Sequence, residues 1–141
     1  MQSLKELFQN RSLYTVSSGT KILDVVKYMA ESNVGLVPVL QTGKLVGVFS
    51  ERDLLKRVIA KNLSLEDTSV DDVMTKELVI AKSDESYEAC LKKMKDAHIR
   101  HIIIIDDGLL YGVLSIRDLL EIDISVQKET IEVLNNYIYS R

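Results

Sequence analysis

The sequence predicts an α/β fold built from one β-α-β-β-α unit used twice. Three observations carry this. Residues 43–55, GKLVGVFSERDLL, and residues 108–120, GLLYGVLSIRDLL, are identical at nine of thirteen positions at an offset of 65. The same offset pairs Met29 with Met94, Lys27 with Lys92 and Ser18 with Ser83. In both halves an apolar stripe of helical spacing is followed by two short β-branched runs.

The first unit opens on a short extended segment, Tyr14 to Val16. Thr20 is expected to cap the next helix, its hydroxyl accepting a free N–H of the first turn. Ile22, Val25, Val26, Met29 and Ala30 recur at three- and four-residue spacing and give that helix one apolar face. Val34 to Leu40 reads as a strand, Gln41 to Lys44 as a turn, and Leu45 to Phe49 as the return strand. A second helix is expected from Glu51 to Asn62.

The second unit repeats this order. Tyr87, Cys90, Leu91 and Met94 form the helical stripe, and Ile99 to Ile105 is a strand. The run Ile102–Ile105 lacks polar alternation, which predicts burial on both faces. Asp107-Gly108 is a hairpin turn, because glycine tolerates positive φ. Leu110 to Leu114 returns, and Ile116 to Glu121 opens the last helix of the unit.

Upstream the register slips to 66, where Leu4, Leu7 and Phe8 match Val70, Val73 and Met74. An insertion in the loop after the first short helix explains the slip. The expected division is residues 1–62 for the first repeat, 63–72 for a linker and 73–124 for the second repeat. A lead-in helix starts near 70, and a C-terminal helix covers 125–141. A unit of about 60 residues buries only about 60% of its chain surface, so two packed copies are the expected remedy. The polar connection LSLEDTSVDD reads as a linker inside one body.

Composition narrows the function. The 141 residues are 46% hydrophobic with net charge -3, which argues against disorder. That charge offers no basic footprint for nucleic acid. The single cysteine, Cys90, allows no intramolecular disulfide. The opening MQSLKELFQN does not read as a secretory signal. The longest aliphatic run, Ile102 to Ile105, is far too short to span a membrane. A soluble, cytoplasmic protein is the expectation by elimination.

Two chemistries fit the repeated Gly-Val-x-Ser-x-Arg-Asp, Gly47 to Asp53 and Gly112 to Asp118. Ser-x-x-Asp at a strand-to-helix junction resembles a capping box, although the return contact usually uses the longer Glu or Gln. Capping alone does not require the preceding glycine or Arg52 and Arg117. The same geometry suits a nucleoside phosphate. A helix N-terminus attracts phosphate, arginine adds a charged contact, and a carboxylate can accept two hydrogen bonds from a ribose diol. Glycine lets a ligand approach the backbone.

The chain resembles a stand-alone pair of CBS (cystathionine β-synthase-type) domains, a Bateman module. The resemblance spans essentially the whole chain. It rests on GKLVGVFSERDLL, on HIRHIIIIDDGLLYGVLSIRDLL, on VDDVMT and on the β-α-β-β-α order. It implies a pseudo-two-fold module with two clefts that bind AMP, ADP or ATP, or in some members S-adenosylmethionine or NAD-type ligands. The ribose-binding aspartates would be Asp53 and Asp118. Ser50 and Ser115 would face phosphate, as would Arg100 and His101 at the start of the strand; Arg52 and Arg117 are the arginines that the helix-start chemistry itself assigns to phosphate. Thr15, Val37 and Pro38, with Ile80, Ile102 and Ile103, would form the adenine pocket. The module would act as a homodimer and pass its state to a regulated protein.

Two departures stand out. Gly35 and Leu36 occupy the places of Arg100 and His101, so the two sites should differ in phosphate affinity. Ile103 replaces Pro38, the only proline, which puts the backbone at Ile103 in doubt.

Other residues read as structural. His98 and His101 straddle a helix-to-strand junction with no completing ligand, so no metal site is expected. Cys90 on the apolar stripe reads as a buried, inert thiol. Asp71-Asp72 and Asp106-Asp107 read as a helix start and a turn. No nucleophile–base pair can be assembled, so catalysis is not expected. From Ser125 to Arg141, Ile131, Leu134 and Ile138 form an apolar face beside Tyr137. It suits docking onto its own domain or a dimer contact. A non-catalytic nucleotide sensor is the reading. Its rivals are a ligand-free scaffold, a sensor of NAD(H) or S-adenosylmethionine, and an enzyme.

Overall fold

A computed structural model describes Leu4 and residues 11–139. Leu7 and Phe8, used in the upstream alignment, lie outside the described residues, as do the side chains of Tyr137 and Ile138. The elements in order are β1 (Val16–Ser17), α1 (Ile22–Ser32), β2 (Leu36–Gln41), β3 (Lys44–Ser50) and α2 (Glu51–Asp53), which runs on as a π-helix over Leu54–Ile59. Then come α3 (Val70–Val73), β4 (Ile80–Ala81), α4 (Tyr87–Ala97), β5 (His101–Asp106), β6 (Leu109–Ser115) and α5 (Ile116–Tyr139). The duplicated β-α-β-β-α order is therefore present.

The chain divides into two compact units. One comprises residues 12–78 with 107–110 and carries the sheet β1-β2-β3. β1 runs parallel to β2, pairing Val16 with Val39, and β3 returns antiparallel, pairing Pro38 with Val48. Thr42 and Gly43 both take positive φ, 52° and 80°, the conformation a tight two-residue hairpin turn needs. The apolar face of α1 (Ile22, Val25, Met29) closes on Val37, Val39 and Phe49. Val70, Val73 and Met74 of the α3 region complete this core.

The other unit carries the sheet β4-β5-β6, with Ile80 paired parallel to Ile103. Cys90 and Met94 of α4 pack on Ile102, Ile104, Leu114 and Leu119, and Leu4 joins them. Ile102, Ile103 and Ile104 are all buried, as their unbroken apolar run requires. Asp107 and Gly108 form the expected turn.

The boundaries differ from the expectation in a consistent way. Each unit takes its lead-in from the other repeat: Leu4 belongs to the core of the second sheet, and α3 to that of the first. The stretch 63–72 is folded rather than a linker. Thr68 and Leu65 carbonyls accept from Ile22 and Leu23 N–H, and the Thr20 carbonyl accepts from Val70 N–H. These bonds satisfy the first-turn donors of α1, which explains a second difference. Lys21, not Thr20, is the N-cap and makes no side-chain cap; the Thr20 hydroxyl donates back to the Ser17 carbonyl instead.

A third difference is the helix expected over Glu51 to Asn62. It becomes a π-helix after Asp53, with Ala60 N–H reaching the Leu55 carbonyl. A fourth is the tail. No break separates 124 from 125, because α5 is one helix of 24 residues. Ile131 and Leu134 on it are exposed, so they do not dock on their own unit. Ile103 is ordinary strand: its N–H donates to the Val79 carbonyl, a bond that proline at the equivalent position of β2 could not make.

Candidate functional site

Each unit places a Ser-x-x-Asp set where its last strand turns into a helix. In the first, Ser50 has extended backbone and caps α2. Its hydroxyl accepts the Asp53 N–H at 3.2 Å, while Asp53 Oδ2 accepts the Ser50 N–H and hydroxyl, each at 3.1 Å. The capping box is complete, and aspartate reaches back despite its short side chain. On the other side Asp53 Oδ1 accepts the Thr75 hydroxyl at 3.0 Å and faces Arg57 Nε at 3.5 Å. Arg57 also donates to the Met74 carbonyl at 3.0 Å. Both carboxylate oxygens are engaged, and Asp53 is buried.

The glycine before this serine has a packing role. A Cβ on Gly47 would stand 2.7 Å from Met74 Sδ and 2.9 Å from the Thr75 carbonyl oxygen. Val48 and Thr75 exchange backbone hydrogen bonds at 2.9 and 2.8 Å. The segment after α3 therefore lies directly on β3, and the close approach at Gly47 is made by the chain itself.

In the second unit Ser115 and Asp118 form the same reciprocal pair. Asp118 Oδ2 accepts the Ser115 N–H at 2.8 Å and its hydroxyl at 3.0 Å, and the Ser115 hydroxyl accepts the Asp118 N–H at 3.2 Å. The outer side differs. Arg11 grips the carboxylate bidentately, at 2.6 Å to Oδ1 and 3.1 Å to Oδ2. Burial alone would push the Asp118 carboxyl up. The hydrogen bonds from Arg11 and Ser115 outweigh it and hold the carboxyl below its usual range. The carboxylate in turn raises the Arg11 guanidinium above its ordinary value.

The remaining candidates fall in three groups. Arg52, Arg117 and Arg100 are exposed and hold no ion pair among the described residues, so they are open to an anion. His101 begins β5 and is half-buried. Pro38 and Ile103 sit at equivalent strand positions, Ile103 beside the half-exposed Ile80; Thr15 directly precedes β1. Val37 and Ile102 differ, since their side chains are fully buried in the two cores. Only their backbone can face a ligand.

Among the structural readings, Cys90 is fully buried and burial raises its thiol, as an inert core cysteine requires. His98 is the C-cap of α4 in left-handed conformation, matching Asn33 at the end of α1. Asp71 lies in the first turn of α3. Hydrogen bonding from the Ser18 hydroxyl, helped by Gly19 N–H and Ser69, holds its carboxyl low against the opposing effect of burial. Asp106 holds the equivalent Ser83 through both its N–H and its hydroxyl. Among the described residues no helix is long and apolar enough to cross a membrane.

Three residues at these sites escape the sequence reading: Arg57, Thr75 and Arg11. Arg57 is four residues after Asp53, a spacing that brings charges together on a helix. Thr75 ends the VDDVMT stretch. Arg11 has no local signal, since it is 107 residues from its partner.

Comparison with known proteins agrees with the geometry. The CBS domain family model matches residues 4–60 and again 70–125. The CBS domain-containing protein CBSX3, mitochondrial, of Arabidopsis thaliana is 34% identical over 83% of this chain, which spans 59% of that protein. The chain spans only 22% of the Arabidopsis protein CBSCBSPB5, at 31% identity. The CBS domain-containing protein YhcV of Bacillus subtilis is 32% identical, with 84% of each chain covered. Among solved structures, a putative signal-transduction protein with CBS domains from Burkholderia ambifaria superimposes with TM-score 0.81 at 26% identity, covering 88% of this chain and 95% of that one. The CBS domain protein PAE2072 from Pyrobaculum aerophilum, complexed with AMP, gives TM-score 0.75 at 28% identity, covering 83% and 89%.

Proposed function

Because the chain belongs to the CBS domain family and carries the domain twice, we propose that it is a non-catalytic regulatory module that binds an adenosine nucleotide. The observation that carries this reading is the pair of Ser-x-x-Asp sets, each at a helix start with an exposed arginine one residue before the aspartate. The AMP complex of PAE2072 supports the ligand class. Asp118 and Asp53 would take the ribose. Arg117, Arg52, Arg100 and His101 would take the phosphates, with Ser50 and Ser115. Thr15, Pro38, Ile80 and Ile103 would frame adenine, with the backbone of Val37 and Ile102.

The second set is the better ribose site. Its Asp118 is less enclosed than Asp53, and its outer oxygen is held by a side chain that is itself 39% exposed and able to swing out. At Asp53 the outer oxygen accepts the Thr75 hydroxyl at 3.0 Å, with Arg57 Nε at 3.5 Å, and the aspartate side chain is only 7% exposed. Ligand binding would signal by favouring one of two states of a homodimer, which requires different affinity for the two states.

A thermal-shift screen with AMP, ADP, ATP, NAD(H) and S-adenosylmethionine tests this. A ligand at about a hundredfold over its Kd should add about 2.7 kcal/mol of stability. No shift with any adenosine ligand at millimolar concentration overturns the sensor reading and leaves the scaffold; turnover of the nucleotide overturns the non-catalytic assignment.

A further inference from the structure

The CBS family model ends at residue 125, but α5 runs on to Tyr139 within one helix of 24 residues. Leu119 anchors the start of this helix in the second core, where it is fully buried. Beyond the repeat the surroundings change. Residues 131–136 are all exposed, and six successive residues cover every side of an α-helix. No face of this stretch is covered among the described residues.

The same stretch repeats with a period of seven. Ile124, Ile131 and Ile138 alternate with Gln127 and Leu134 at spacings of three and four. That is the a and d pattern of a coiled coil, with isoleucine at each a position. Ile124, Ile131 and Leu134 are 52%, 56% and 55% exposed. Isoleucine at a with leucine at d favours two parallel strands. Gln127 holds the other d position. In register it meets its own counterpart, amide to amide, each able to donate and accept. A slip of one heptad would set it against Leu134 instead. One polar layer thus fixes the register at a cost in strength.

Charge also fits a second copy. Asp123 holds a g position and Lys128 the e position five residues on, the two places that face each other across a parallel pair. Two-fold symmetry makes this pairing of opposite signs twice. A membrane surface would favour lysine and arginine on the polar face, whereas here Glu129 and Glu132 outnumber Lys128. A free helix of this length is marginal because its first turn is costly to form. The anchored start of α5 removes that cost.

We infer that α5 beyond the repeat is a dimerisation helix, which pairs in parallel and in register with α5 of a second copy along Ile124, Gln127, Ile131 and Leu134. This rests on the homodimer reading above and gives it a contact outside the paired repeats.

Disulfide trapping in the full, nucleotide-free chain tests it. Cys90 is buried and does not compete. Leu134→Cys should cross-link two copies under mild oxidation at least about tenfold faster than Val133→Cys, because bridged Cα atoms must come within about 7 Å. Val133 is a stringent control. At 67% it is more exposed than these seam residues, but it holds a c position, turned away from the partner. Sedimentation over a concentration series gives a second readout, with circular dichroism confirming that each variant folds. Ile131→Glu should raise the dimer dissociation constant about tenfold or more, since it puts a charge in the seam. Val133→Glu should change it by less than about twofold. Equal trapping at 133 and 134, or a dimer indifferent to Ile131→Glu, overturns the inference and leaves a homodimer formed elsewhere. A monomeric wild type overturns both, and its binding to anionic lipid vesicles would assign the face to a membrane. The nucleotide melting shift remains a separate readout of the ligand.

Discussion

Replacing Arg11 by alanine should tighten nucleotide binding while weakening the fold. Arg11 makes two charge-assisted hydrogen bonds to Asp118, at 2.6 and 3.1 Å. Bonds of this class are worth about 1.5–3 kcal/mol when shielded. Here the arginine side chain is 39% exposed against 15% for the aspartate, so solvent screening reduces the pair to about 0.5–1 kcal/mol. A ribose that uses the outer oxygen of Asp118 must first displace this guanidinium. Removing it returns that cost to the ligand, and Kd for AMP should fall about two- to fivefold. Stability should fall by the same about 0.5–1 kcal/mol. The pH dependence follows in sign. The folded Asp118 carboxyl lies below its unfolded value, so the contribution is complete above about pH 5 and lost as pH falls through the folded pKa. The stability gap between wild type and variant should therefore close in acid. Calorimetric titration and urea unfolding measure both quantities. Weaker AMP binding in the variant would refute the reasoning and make Arg11 a ligand contact instead.

Asp118→Ala should cost about 1.5–3 kcal/mol of nucleotide binding and abolish preference for ribo- over 2′-deoxynucleotide; calorimetry with both sugars checks it. Asp53→Ala should act mainly on stability, because it leaves Thr75 and the Ser50 N–H unpaired in a buried site. Gly47→Ala should destabilise by about 1–3 kcal/mol, since backbone at Thr75 cannot yield as a side-chain end could; urea unfolding measures it. Asp71→Asn should cost about 1 kcal/mol near neutrality through weakened bonds from Ser18 and Gly19. The folded Asp71 carboxyl is lowered, so that difference too should fade as pH falls through its folded pKa.

The strands and main helices were legible because apolar spacing reflects local burial. Ile22, Val25 and Met29 lie on the buried face of α1, and Cys90 and Met94 on that of α4. The duplicated Ser and Asp were legible as a pair but ambiguous in role. The same hydrogen bonds that cap the helix fix the carboxylate where a ribose could meet it, so the two readings are not exclusive. Long-range pairing was hidden. Nothing near Arg11 announces Asp118, and nothing near Gly47 announces Thr75. The cap of α1 was misplaced because Thr68 and Leu65, far along the chain, supply acceptors that a local rule assigns to Thr20.

The exchange of lead-in segments decides where the chain can be cut. The sequence repeat suggests residues 1–62 as a domain. That fragment lacks Val70, Val73 and Met74, which are 0%, 4% and 6% exposed in the core of the first sheet. It also lacks Thr75, the partner of buried Asp53. Burying an aliphatic side chain of this size is worth about 1.5–3 kcal/mol, so losing three removes an amount comparable to the about 5–15 kcal/mol that holds a whole domain. Residues 12–78 keep all of these groups and lack only the 107–110 hairpin tip of their unit. The 12–78 fragment should therefore show cooperative urea unfolding by circular dichroism, and 1–62 should show none. Equal folding of the two fragments, or failure of both, would show that the α3 segment is not the element that completes the first core.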